Sequence, residues 1–80
     1  MNFYIGGKDV RVSYKKLWKL LVDLGMSKAD LRKATGLATG TMTKLRRDED
    51  ISMDAIKRIC TVCKCDIGDM MELIPDEESE

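Results

Sequence analysis

The sequence predicts an all-α domain: five short helices built around a central helix–turn–helix at residues 27–47, with a short strand or hairpin at the N-terminus. Three observations carry that expectation. Apolar residues recur three and four apart in successive stretches, the spacing of a helix that buries one face. Residues with side chains that cap helices stand before three of those stretches (Ser27, Ser52 and Asp66), and Gly25 and Gly36 close the first two stretches. The connections are short, and 80 residues leave room for one core only.

Residues 1–12 form the first segment. Phe3, Tyr4 and Ile5, then Gly6-Gly7, then Val10 and Val12 fit a small hairpin across a two-glycine turn. A hairpin alone is marginal in water, so this one would rest on the domain or on a second subunit. An unstructured arm fits the same residues equally well. Residues 13–24 form the first helix, with Tyr14, Leu17, Trp18, Leu21 and Leu24 at helical spacing and Lys15, Lys16, Lys19 and Asp23 between them. Trp18 reads as a core anchor, and Gly25 ends the helix.

In the central motif, Ser27 is an N-cap and Asp30, at the third helical position, is an acidic variant of the capping box. Asp30 also favours the positive end of the helix dipole. Leu31 and Ala34 share one face. Gly36 supplies the left-handed turn, Leu37 tucks toward the core, and Ala38 or Thr39 begins a second helix with Met42 and Leu45 as its apolar positions. Its other face carries Thr39, Gly40, Thr43 and Lys44, with Arg46 and Arg47 at the end. Asp48-Glu49-Asp50 is an acidic loop. Ser52 caps a fourth helix whose inward face is Met53, Ile56, Ile59, Cys60 and Cys63, with Lys57 and Arg58 outside. Asp66, with Asp69 three residues on, caps a short fifth helix with Ile67, Met70 and Met71 on its buried or interfacial side. Residues 1–12 are thus an arm, 13–74 the domain and 75–80 an acidic tail.

The net charge of zero conceals segregation. Residues 1–47 hold eleven Lys/Arg against three Asp/Glu, a balance of +8, and residues 48–80 hold three against eleven, a balance of −8. A basic half that coincides with a helix–turn–helix points to nucleic acid more than to an ordinary solvated surface. No apolar run is long enough for a membrane span and no secretory pattern opens the chain. With three thiols that look unpaired, this leads us to expect a cytoplasmic protein.

The motifs of other chemistries are incomplete. Cys60, Cys63 and Cys65 form C-x-x-C-x-C, but a structural zinc site wants four ligands, and there is no second pair and no histidine. The first two fall on the inward stripe of their helix, where cysteine behaves as a small apolar residue. Cys65 is expected to be the most exposed and oxidisable. No metal or other cofactor is expected. Without histidine, a paired-carboxylate setting or a phosphate-cradling glycine loop, neither is catalysis.

The stretch SKADLRKATGLATGTMTKLRR, from Ser27 to Arg47, resembles the helix-turn-helix of lambda Cro/repressor-type regulators, the Xre family. The flanking VSYKKLWKLL and CDIGDMMELIP resemble its small, single-domain bacterial members. Arg32 stands where that family most often has alanine, at the close approach of the two helices, and Thr35 where an apolar residue is common. The resemblance implies a compact Cro/repressor-like fold that regulates transcription by binding double-stranded DNA, with the second helix of the motif in the major groove. By position, Thr39, Gly40, Thr43 and Lys44 would face the bases. Gly40 is silent as a reader, or lets the helix sit closer to the groove wall. Lys28 matches a family position that touches phosphate; Thr41, Arg46 and Arg47 are further phosphate candidates. Lys8 and Arg11 leave a DNA-tracking arm as a third reading of residues 1–12.

Family members commonly bind palindromic operators as homodimers. The expected dimer surface is Met70, Met71, Leu73 and Ile74, with Phe3-Tyr4-Ile5 as second choice. The rival reading is a protein-interaction adaptor, its acidic half recruiting a basic partner. An antitoxin, binding operator and protein partner with one domain, lies between the two.

Overall fold

The computed structural model describes residues 10–75. Along the chain run β1 (Val10–Ser13), α1 (Lys15–Leu24), α2 (Lys28–Thr35), α3 (Thr39–Arg46), α4 (Met53–Cys63), α5 (Ile67–Met70) and β2 (Glu72–Pro75). The five expected helices are present, and the glycines end α1 and α2 as read: Gly25 and Gly36 both adopt left-handed backbone, φ 69° and 71°. The hairpin across Gly6-Gly7 lies outside the described residues. What they contain is a strand whose partner comes from the other end of the chain. β1 pairs antiparallel with β2, Val10 opposite Pro75 and Val12 opposite Leu73. Met71 makes this possible by leaving α5 in extended conformation, φ −152° and ψ 162°. Leu73 and Ile74 therefore lie on a strand.

Every helix contributes one wholly buried side chain to a single core: Leu17, Leu31, Leu45, Ile59 and Met70. Each aliphatic residue so buried contributes roughly 1.5–3 kcal/mol. Three positions expected inside lie outside. Leu24 and Met53, at the last turn of α1 and the first of α4, are 47% and 58% exposed. They keep the helical spacing but stand beyond the reach of the neighbouring helices. Ala34 is exposed as well, and Leu31 is joined in the core by Thr35, one full turn on. Trp18 is half-buried and packs on the edge of the core.

Tyr14 is the sixth fully buried large side chain, and it ties the start of α1 to the loop after α3. Its backbone N–H donates to Asp48 Oδ1 at 3.1 Å and its hydroxyl to the Glu49 carbonyl at 2.7 Å. Asp48 adopts φ 56°, which turns the chain back toward Tyr14. Burial, and then the charges of Asp50 and Asp48, push the phenol up to about 12. Since the folded value lies above the ordinary one of 10.0, this contribution to stability is complete below about pH 10 and disappears as pH rises through about 12. Tyr14→Phe is expected to lose about 1 kcal/mol at neutral pH through the missing hydrogen bond. Urea unfolding at pH 8 and pH 11 should show the gap between the two proteins narrowing, because only the wild type has a phenol here to ionise. A constant gap would mean the phenol is not held in its neutral form.

Candidate nucleic-acid interface

The site begins with the capping box that starts α2. Ser27 Oγ accepts from Asp30 N–H and Asp30 Oδ2 accepts from Ser27 N–H, both at 3.0 Å. The Ser27 N–H, and after it the Ser27 hydroxyl, hold the Asp30 carboxyl below the usual carboxylate range. Thr35 occupies its buried position because its hydroxyl is fully used. It donates to the Leu31 carbonyl at 2.7 Å and accepts from Leu37 N–H at 3.4 Å, so it braces the turn. Arg58 of α4 adds a bond to the Thr35 carbonyl at 3.3 Å, satisfying one of the carbonyls left open at the helix end. With Leu37 buried beneath it, this turn sets the angle at which α3 leaves α2.

α3 starts from Ala38, in extended conformation and without a side-chain cap. At about 100° per residue, buried Met42 and Leu45 define its inner side, and Gly40, Thr43, Lys44 and Arg47 radiate from the opposite one, flanked by Thr39 and Arg46. Thr39, Gly40, Lys44, Arg46 and Arg47 are exposed; Thr41 and Thr43 are half-buried. Thr43 Oγ1 donates to the Thr39 carbonyl at 3.1 Å, so outward its hydroxyl presents an acceptor and its methyl. A Cβ built on Gly40 would meet nothing within 4 Å, so internal packing does not require glycine there. α3 contains no carboxylate. Arg47 lies 4.0 Å from Glu49 in an exposed pair, which holds it weakly.

Lys28 opens α2 with its Nζ 4.1 Å from the centre of the Trp18 ring. That cation–π contact links α1 to α2 and accounts for a tryptophan at the core's edge. Beside it, Lys28, Ala29 and Arg32 of α2 face Thr39, Met42 and Arg46 of α3 across a cleft of about 220 Å³. The structure thus brings Lys28, Thr39 and Arg46 together and places Gly40, Thr43, Lys44 and Arg47 on the adjoining outer face. Sequence reasoning missed Arg32 as a member of this group. Its signal was the one-turn spacing from Lys28 and the replacement of a usual alanine.

The expected dimer residues separate. Met70 is wholly buried, its sulfur 3.7 Å from Cys60 Sγ, so it belongs to the domain's own core and offers nothing to a second copy. Leu73 is 65% exposed, and Met71 and Ile74 are half-buried. Cys63 is buried and Cys65 half-buried, so Cys65 is less open than expected. Burial, then the neighbouring Cys60 thiol, push Cys65 up to about 12, which opposes the reactive thiolate. Among the described residues no cluster of His, Cys, Asp and Glu is arranged to hold a metal, and no helix is long and apolar enough to cross a membrane.

A helix braced by a capped partner through a left-handed glycine turn, with its polar, cationic face left open, defines a class of DNA-binding domain. A model of the Cro/C1-type helix-turn-helix DNA-binding domain matches residues 16–76, and the chain belongs to that family. Among solved structures it is similar to the crystal structure, form II, of the transcriptional regulator VanUg. The two are 44% identical over 94% of this chain and 97% of that one, with a TM-score of 0.82. No curated protein sequence matches it.

Proposed function

We propose that the protein is a sequence-specific transcriptional regulator that inserts α3 into the major groove of double-stranded DNA and binds a palindromic operator as a homodimer. One observation supports this above the others: the whole outward face of α3 is small side chains, hydroxyls and cations, with no carboxylate on the helix. The Cro/C1-type family and the likeness to a transcriptional regulator point the same way.

In this reading Thr39, Gly40, Thr43 and Lys44 face the base edges. Lys44 donates to guanine O6 and N7, and Thr43, its proton turned back to Thr39, accepts from adenine N6 or cytosine N4. At Gly40 the missing side chain lets the helix approach the groove closely. Lys28, Thr41, Arg46 and Arg47 hold phosphates and fix register. The dimer surface is the two-stranded sheet and its approach, where Leu73 and Val10 (49% exposed) are open to solvent beside Met71 and Ile74.

Selection of bound duplexes from a randomised pool, with affinity followed against salt, tests the reading. Enrichment of a palindrome with salt-sensitive affinity is the expected result, and its half-site spacing reports the dimer geometry. Enrichment of nothing, with weak binding lost near physiological salt, would refute it in favour of a protein-binding role.

A further inference from the structure

We propose that the cleft between α2 and α3 is a clamp for one phosphate of the DNA backbone, and that Arg32 is the residue this chain adds to it. The inference rests on the DNA-binding reading above. Lys28, Arg32 and Arg46 line one concavity of about 220 Å³, with Thr39 at its wall. Among the described residues no carboxylate pairs with any of the three cations. Lys28 and Arg32 stand one turn apart on α2, a like-charge spacing that opposes helix formation, and Arg46 faces them from α3. Lys28 has the Trp18 ring beneath its ammonium, whereas the two guanidiniums have no ion-pair partner among the described residues and are open to an anion.

Size and chemistry choose the anion. A water takes about 30 Å³, so the cleft has room for a phosphate group in place of several waters. Arginine's planar fork matches two phosphate oxygens at once, whereas a lysine acts as a point charge. The clamp would also unite the two helices around one ligand: α2 gives Lys28 and Arg32, α3 gives Arg46. DNA bound there would fix the angle of α3 in the groove as well as its register. The Arg32 side chain is exposed and makes no hydrogen bond or ion pair among the described residues, so the fold itself does not need the guanidinium.

The test uses a short duplex of arbitrary sequence, because a phosphate contact is independent of sequence, with affinity measured between about 50 and 200 mM salt. Arg32→Ala should weaken binding about tenfold at the lower salt and reduce the slope of log affinity against log salt by about one unit. Arg32→Lys, which keeps the charge and loses the fork, should retain most of the slope and fall between the two in affinity. Lys19→Ala, an exposed cation of α1 outside the cleft, should match the wild type. Circular dichroism should show Arg32→Ala melting no lower than the wild type, as removal of a like-charge pair requires. Wild-type affinity and slope in Arg32→Ala would overturn the clamp while leaving DNA binding intact, as would an equal loss in Lys19→Ala. Absence of salt-dependent binding by the wild type would overturn the DNA-binding reading and the clamp with it.

Discussion

Leu45→Ala is expected to destabilise the protein by about 2–5 kcal/mol, the range for emptying a fully buried leucine site. Leu45 has no exposed surface and belongs to the core, on the side of α3 opposite the proposed DNA-facing residues. A domain of this size is stable by only about 5–10 kcal/mol, and each kcal/mol moves its melting temperature by roughly 4–8 °C. The variant should therefore melt well over ten degrees lower, or arrive partly unfolded, and urea titration followed by circular dichroism would measure the loss. Met53→Ala is the contrast: it removes a similar volume at a site 58% exposed and should change stability by no more than about 0.5 kcal/mol. Similar losses in the two variants would mean that the inner side of α3 is not packed into the core.

The second large effect concerns DNA. Lys44→Ala is expected to relax discrimination at a single base pair by about 1–3 kcal/mol, the value of one good contact to guanine. Arg47→Ala should instead weaken binding to every sequence alike and lower the salt slope by about one unit. Competition assays with single-base operator variants separate the two. The geometry favours this division: Lys44 lies within the length of α3, on its open side, while Arg47 follows the last helical residue, where it can reach the strand beside the groove. Equal losses on all sequences for both variants would abolish the distinction between reading and positioning.

Much of this architecture is written locally in the sequence. A capping box needs only a side chain and the backbone three residues away, so Ser27 with Asp30, and Asp66 with Asp69, could be recognised before any fold was known. The same holds for the left-handed glycines and for the open face of α3, which follows from helical period alone. What escaped were relations between distant segments. Nothing near Val10 announces that its partner is Pro75, and spacing identified the stripe containing Leu24 and Met53 without revealing where the neighbouring helices stop. Thr35 looks out of place until its hydroxyl is seen joining Leu31 to Leu37. The convergence of Arg32 with Arg46 depends on how two helices cross, which no single-helix pattern encodes.

The pairing of β1 with β2 bears on how the molecule assembles. It joins the first described residues to the last, so it closes a loop of nearly the whole domain. Closure entropy rises only slowly with length, about 0.6 kcal/mol per doubling, so once formed the clasp weighs little on the native state. Finding it by diffusion is another matter. The helices, whose contacts begin within a turn, can nucleate and pack first and carry the two ends into register. The strands would then form last and open first, leaving the helix pair proposed to face DNA intact through the most frequent excursions of the fold.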